Sequence, residues 1–389
     1  MKIAIFSDTF PPQVDGVSSV ASRLAETLSE RGHRILVVTV SKHKRGSEEQ
    51  TTLPKFEIIR LPSIPALIYS GHRLTLPVGQ TIRRIKKFSP DIIHVHTPFS
   101  VGWEAIQCAK RLKIPLIGTH HTFYDHYVKH IKMNFRWMKK LSWKLIVSYY
   151  NRCDLVISPT KSLADTLKMH GLKSPVEIIP NPIDTKLFKP ATSRKSKEEA
   201  KKSLGIEGKS LVYMGRVSYE KSIDQAIQAF ALAAEKNPEI KLFIVGEGPE
   251  RTKLEALARR LGIKEKVIFT GFLRGYKLTR ALQASEMFVT ASQSENMPIS
   301  ILEAMACGLP IIAVSALGIP EIVKNGVNGF LSVPDQPKEM ARNILELFEK
   351  NDLLEKFSVA SRELSLTYSR EKIAELHEAA YRKAINREL

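Results

Sequence analysis

Apolar residues in this chain fall into short dense runs, separated by stretches in which they recur every three or four positions. In the first half the runs are KIAIF, Arg34 to Val40, Asp91 to Val95, Pro115 to Thr119, Asp154 to Ser158 and Val176 to Ile179. Runs of this length, apolar almost throughout, predict strands covered on both faces, as in a parallel sheet. Gly16 to Glu30 and Val101 to Leu112 carry the period of amphipathic helices between them. The second half repeats the alternation. Its runs are Leu211 to Met214, Lys241 to Val245, Val267 to Thr270, Met287 to Thr290, Pro310 to Ala313 and Gly329 to Ser332. Its helical stretches are Ser222 to Glu235, Glu250 to Leu261, Ile299 to Cys307 and Pro337 to Lys350. The pattern predicts the α/β class, with two doubly wound, Rossmann-like domains facing a cleft that holds the ligands. The segment IPNPIDTKLFKPATSRKSKEE, with its three prolines and basic polar run, reads as the linker between them, running into a new helix.

A length of 389 residues suits two domains, and 43% hydrophobic with 25% charged residues is ordinary for a globular chain. The three cysteines, Cys108, Cys153 and Cys307, have neither metal spacing nor the number for a disulfide framework, which points to a reducing cytoplasm. The apolar run after Lys2 is too short for a signal peptide. The most apolar long window, Met297 to Pro320, contains Glu303 and Pro310 and reads as a buried helix and strand, not a membrane span. Charge changes the picture more. Residues 1–190 hold 29 basic and 14 acidic side chains, a net +15, whereas residues 191–389 hold 30 and 26, a net +4. The asymmetry implies an anionic partner for the first half, either a membrane surface or nucleic acid.

Several spacings suit phosphate and sugar chemistry. In LVYMGRVSYEK a strand ends at Gly215, and Arg216 and Lys221 follow before the next helix, two cations suited to a diphosphate. In VGEGPE, Gly246 and Gly248 allow a tight strand-to-helix turn, but Arg251 replaces the third glycine of a dinucleotide fingerprint. In SENMPISILEAMACGLP, Met297, Pro298 and Ile299 open a helix whose N–H groups form an anion site. Glu303, two turns in, has the reach to accept from ribose hydroxyls, and Glu295 precedes the helix, nearer a reacting sugar. No Asp-x-Asp occurs in the chain, so a metal-free site is expected, with cations and the helix N-terminus neutralising a leaving group. His94, His96, His120, His121 and His126 are the candidate zinc ligands, but the first two alternate along a strand, and no zinc site is expected.

Gly215-Arg216, Lys221, Gly246-x-Gly248-Pro249, Glu295-x7-Glu303, Gly308-x-Pro310 and Pro320-Glu321-Ile322-Val323 together resemble the retaining GT-B glycosyltransferases of family four. FPPQVDGVSSVASRLAETLSERGH and SPDIIHVHTP are similar to that family's opening, so the resemblance covers nearly the whole chain. It implies transfer of a sugar from a nucleotide diphosphate with retention, and no cofactor beyond that co-substrate. It assigns residues 1–182 to an acceptor and membrane-binding domain, 183–368 to the donor domain, and 369–389 to a helix returning to the first. It gives Arg216 and Lys221 to the donor diphosphate, Glu303 to the ribose, Glu295 to the donor sugar, and the loop at Gly16 to the phosphates. GTHHTF places the sugar-touching histidine at His121, with His120 where the family has an apolar residue. PNPIDT departs from the more usual PNGVDT, and Pro182 stiffens the hinge.

On the acceptor side, residues 123–144 hold six basic residues, one acidic residue and six aromatics. Projected as a helix from Ile131, the stretch gathers Ile131, Phe135, Met138, Leu141 and Leu145 on one face. Lys132, Arg136, Lys139 and Lys140 fall on the other, with Trp143 among them. That arrangement suits an anionic bilayer interface, and RRIKK at Arg83 to Lys87 adds cations. With HTPFSVGWEAIQ and THHTFYDHYV, the segment resembles bacterial diacylglycerol glucosyltransferases. This implies a monotopic enzyme on the cytoplasmic face of the membrane, moving glucose from UDP-glucose to a lipid acceptor. Competing readings are a soluble or polyprenyl-linked acceptor, a mannosyltransferase using GDP-mannose, a nucleotide-sugar epimerase, and a nucleic-acid-binding protein. The last lacks any recognised binding motif and explains neither Glu295 nor Glu303, so no nucleic-acid partner is expected.

Overall fold

The computed structural model describes residues 1–13, 15–41, 56–66, 73–123, 136–206 and 208–389. Chain contacts divide them into two units, Met1–Pro182 with Arg370–Leu389, and Ile183–Ser369.

The first unit runs β1 (Lys2–Phe6), α1 (Gly16–Glu30), β2 (Arg34–Val40), β3 (Glu57–Leu61), β4 (Ile64–Pro65), β5 (Arg73–Leu74), α2 (Ile82–Phe88), β6 (Ile92–Val95), α3 (Ser100–Leu112), β7 (Leu116–Thr119), α4 (Arg136–Tyr150), β8 (Leu155–Ser158), α5 (Lys161–Met169) and β9 (Val176–Ile178). Its sheet has the order β3-β2-β1-β6-β7-β8-β9 with every pair parallel, and β4 and β5 form a separate antiparallel ribbon. The second unit runs α6 (Arg194–Ser203), β10 (Ser210–Met214), α7 (Ile223–Lys236), β11 (Lys241–Val245), α8 (Arg251–Arg260), β12 (Val267–Gly271), α9 (Gly275–Gln283), β13 (Met287–Val289), α10 (Ile299–Ala306), β14 (Ile311–Val314), α11 (Ile319–Ile322), β15 (Gly329–Ser332), α12 (Pro337–Glu349) and α13 (Asn351–Leu366). Its parallel sheet has the order β12-β11-β10-β13-β14-β15. Both sheets reverse direction once, between β1 and β6 and between β10 and β13. In doubly wound sheets ligands bind at that reversal, beyond the carboxyl ends of the strands.

Local chemistry explains the elements. Asp15 caps α1 by accepting from the Ser18 amide at 2.8 Å, and Ser193 and Ser196 form a reciprocal cap on α6. The central strands of each sheet are buried on both faces, which is why they read as unbroken apolar runs. The last helix, α14 (Arg370–Asn386), belongs to the first unit. Arg370 reaches Glu30 at 2.5 Å, and Glu378 accepts from Arg31 at 2.6 Å and pairs with His33 at 2.9 Å. The Arg31 hydrogen bond is the main reason the Glu378 carboxyl is held down, to about 2.

Helix α4 corrects one reading of the sequence. Trp143 does not share the solvent face with the lysines: it is 2% exposed and stacks on His170 with ring centroids 4.5 Å apart. The core takes Trp143, Ile146, Val147 and Tyr150, while Leu141 and Leu145 are 46% and 63% exposed. The helix has two apolar stripes. Each buried aromatic removes roughly 150–250 Å² from water, so the stripe carrying Trp143 and Tyr150 outcompetes the one carrying two leucines. Among the described residues no helix is long and apolar enough to cross a membrane.

Candidate active site

In the second unit the site grows from the ends of β10 and β13, on either side of the reversal. After β10 the chain turns through Gly215 and Arg216 into a short helical turn, Tyr219–Lys221, before α7 begins. The neighbouring loop after β11 is laced to it. Gly215 N donates to Val245 O at 3.0 Å, Val217 N to Glu247 O at 2.9 Å, and Glu250 N to Val217 O at 3.2 Å. The two glycines exist for this contact. A Cβ on Gly246 would stand 1.9 Å from the Gly215 carbonyl oxygen, and one on Gly248 would stand 2.1 Å from that of Val217. The tight turn expected of VGEGPE thus lays its backbone against the Arg216 loop.

That lacing leaves the Arg216 side chain exposed and Lys221 partly buried. The Tyr213 hydroxyl supports the loop by donating to Arg216 O at 3.1 Å. Lys221 Nζ donates to Glu295 Oε1 at 2.5 Å, and both side chains are 20% exposed. Ser292 Oγ donates to the same carboxylate oxygen at 3.3 Å, and Ser294 Oγ donates to Glu220 O at 3.1 Å. The structure therefore joins Lys221, after β10, directly to Glu295, after β13.

Met297 and Pro298 are buried at the start of α10, where Ile301 N and Leu302 N both turn back to Pro298 O, at 3.2 and 3.3 Å. Ile299 is the first residue of that helix. Glu303 is 6% exposed on α10, so it lies within the fold and not on a solvated face. Arg362 of α13 closes the other end of the helix, donating to Ala306 O at 2.8 Å.

In the first unit Gly16 opens α1, and a Cβ there would meet nothing within 4 Å. This is open space beside a helix N-terminus, unlike the crowded glycines of the second unit. His121 follows β7. Its Nε2 lies 3.1 Å from His96 Nδ1, and the two rings stack with centroids 5.3 Å apart. His94 pairs with the Tyr381 hydroxyl through Nδ1 and with Thr119 Oγ1 through Nε2, both at 2.7 Å. His377, one turn before Tyr381 on α14, packs 5.6 Å from the His94 ring. Burial holds these histidines neutral: His121 is pushed down to about 3 and His377 to about 4, while His94 and His96 lie well below the usual value. His120 is fully buried, edge-on to Tyr150 at 4.9 Å, and burial lowers it to about 3. The sequence reading considered His94 and His96 only as metal ligands and passed over His377 and Tyr381. The signal was there: two alternating histidines on one strand, and a His and Tyr four apart on the final helix. Among the described residues, which do not include His126, no group of His, Cys, Asp and Glu is placed to hold a metal ion.

Of the basic residues assigned to a membrane face, Lys140 is exposed on α4. Arg136 and Lys139 lie on the same helix, and Lys132 lies outside the described residues. The helix also exposes Trp137, at 64%, and Lys144, neither of which was singled out.

Sequence comparison accounts for both units. The profile of Glycosyltransferase Family 4 matches residues 14–187, and that of Glycosyl transferases group 1 matches residues 196–364. The alpha-monoglucosyldiacylglycerol synthase of Streptococcus pneumoniae is 32% identical over 317 residues, 80% of this chain and 71% of the relative. The chain is a family-four glycosyltransferase. The Acholeplasma laidlawii protein of the same name is 29% identical to this transferase over 399 residues, covering 100% of the chain and 98% of the relative. Among solved structures, Anabaena HepE in complex with UDP superposes with a TM-score of 0.79 at 22% identity, over 98% of this chain and 100% of that one. The transferase thus has the GT-B fold.

Proposed function

We propose that the transferase moves glucose, with retention, from UDP-glucose to diacylglycerol at an anionic membrane surface, on the cytoplasmic face and without a resident metal. The observation that carries this reading is the solvent face of α4. Trp137, Leu141 and Leu145 are 64%, 46% and 63% exposed at four-residue spacing, with Lys140 and Lys144 exposed beside them. An apolar stripe flanked by cations suits a bilayer boundary, where tails take the leucines and anionic headgroups take the lysines. Helix α2 adds exposed Arg83, Arg84, Lys86 and Lys87, and Leu76 and Val78 just before it are 74% and 66% exposed. The synthases named above support the glucosyl donor and the diacylglycerol acceptor by similarity. The three cysteines are free and buried, which suits a reducing compartment.

The mechanism assigns work to residues already placed. Arg216 and Lys221 neutralise the departing nucleoside diphosphate, helped by the N-terminal amides of α10. Glu303 accepts from the ribose. In the unliganded site Glu295 holds Lys221. Arrival of the diphosphate gives Lys221 a second anion and leaves Glu295 to meet sugar hydroxyls. Within the first unit, the family resemblance assigns Gly16, at an unobstructed helix N-terminus, to phosphate and His121 to sugar.

Vesicle sedimentation tests the surface. Wild type should bind anionic vesicles and bind neutral ones poorly, and salt should weaken the binding. Replacing Lys132, Arg136, Lys139 and Lys140 by Gln should release it, since each cation near such a surface contributes about 1 kcal/mol. Unchanged sedimentation of both this variant and Leu141→Ser/Leu145→Ser would turn the reading toward a soluble acceptor.

A further inference from the structure

Within the first unit, strands β6 and β7 present matched pairs of polar side chains on one face. His94 sits two residues before His96, and Thr119 two residues before His121. The parallel register sets His94 opposite Ile117, so each pair meets across a two-residue offset, His94 with Thr119 at 2.7 Å and, just beyond the strand ends, His96 with His121 at 3.1 Å. The second contact joins two ring nitrogens, His96 Nδ1 and His121 Nε2. Between two neutral imidazoles only one of those nitrogens carries the proton.

The surroundings of His96 decide which. The residue is 1% exposed, and its other nitrogen, Nε2, is buried with no hydrogen-bond partner among the described residues. Suppose His121 Nε2 donates. The single proton of His96 is then on Nε2, a buried N–H with no acceptor. Suppose instead His96 Nδ1 donates. The unpartnered atom is then a bare lone pair. Buried donors left without a partner are much rarer in folded proteins than under-satisfied acceptors, so the second arrangement is favoured. Burial keeps both rings neutral, which removes the doubly protonated alternative.

We infer that His96 is a positioning residue that locks His121 as the Nδ1–H tautomer, so that any hydrogen bond made through His121 Nδ1 is one that His121 donates. Neutral imidazole in water favours the opposite form, with the proton on Nε2. The fold therefore selects the minor form of His121 by occupying its Nε2 with a donor. A donor suits a sugar hydroxyl oxygen that accepts through a lone pair, and it excludes His121 as a general base through that nitrogen. This deepens the proposed function and rests on its reading of His121 as a sugar contact.

Long-range 15N–1H correlation spectra of the histidine-labelled transferase read the tautomer without any substrate. The wild type should show His121 protonated on Nδ1. His96→Leu, which removes the donor, should return His121 toward the Nε2–H form. His96→Asn, whose amide N–H stands near the place of Nδ1, should keep it on Nδ1. With UDP-glucose and diacylglycerol vesicles, His96→Leu should lower kcat by roughly tenfold or more while the donor KM moves little, because a misassigned tautomer costs the transition state and not binding. His96→Asn should restore most of the rate. A wild-type His121 carrying its proton on Nε2 overturns the inference whatever the kinetics show. Full activity of His121→Ala would instead remove the sugar-contact role and leave the tautomer assignment standing.

Discussion

Lowering the pH should unfold the first unit well before acid attacks an ordinary domain. Free histidine titrates near 6.5, but burial pushes His120 to about 3 and His377 to about 4. Below pH 6.5 the unfolded chain binds protons that the folded unit refuses, so stability falls as pH falls, until the folded values are reached. At pH 5 each of these two groups sits about 1.5 pH units under its unfolded value. At 1.36 kcal/mol per unit that is about 2 kcal/mol each, or about 4 kcal/mol for the pair. His94, His96 and His121 shift in the same direction and add to the loss. Glu378, held at about 2, reinforces it only below its unfolded value near 4.5. Against a domain stability of roughly 5–15 kcal/mol the effect is large. The assay is urea denaturation at pH 7.5, 6, 5.5 and 5, followed by tryptophan fluorescence. All three tryptophans, Trp103, Trp137 and Trp143, lie in the first unit, so the signal reports that unit alone. His377→Phe should flatten the pH dependence by about one proton, near 1.4 kcal/mol per pH unit. A midpoint that does not move between pH 7.5 and pH 5 would refute the reasoning.

Four further outcomes are expected. Arg216→Ala and Lys221→Ala should each lose well over tenfold in rate, since one cation on a leaving diphosphate contributes about 3 kcal/mol; chelator should leave the wild type active, and strict dependence on added divalent metal would contradict the metal-free reading. Glu303→Ala should raise the donor KM and Glu295→Ala should mainly lower kcat, a division that equal effects on UDP affinity would end. Gly248→Ala should raise the donor KM by about tenfold or more and lower stability, because its Cβ would stand 2.1 Å from Val217 O and part the two loops. Gly16→Ala should leave the melting temperature alone, its Cβ meeting nothing within 4 Å, so any loss of donor affinity there reports the ligand.

The sequence was most informative where burial is two-sided. Helix α1 matches the predicted span, Gly16 to Glu30, residue for residue, and the strand runs differ from the observed strands by a residue or so at their ends. What escaped was short or half-exposed. Strand β3 reads EIIRL, an edge strand with an uneven pattern, and α2, α5 and α9 have only seven to nine residues each. The phase of α4 escaped for a different reason. Two apolar stripes compete on one helix, and only packing against His170 and the sheet selects the one containing Trp143. The candidate site could be read in the sequence only as a set of residue types, and its contacts could not. Nothing in the spacing of Lys221 and Glu295, 74 positions apart, announces their ion pair. Nor does His96 announce that its ring meets that of His121.

The central claim is the transfer of glucose from UDP-glucose to diacylglycerol, and one reaction tests it most directly. The transferase is incubated with UDP-[14C]glucose and vesicles of diacylglycerol in anionic phospholipid, with GDP-[14C]mannose in a parallel tube, and the organic phase is counted and its product treated with an α-glucosidase. The account predicts label in the lipid from UDP-glucose only, released by the α-specific enzyme. Label from GDP-mannose instead, a product resistant to the α-glucosidase, or label confined to the aqueous phase would contradict it.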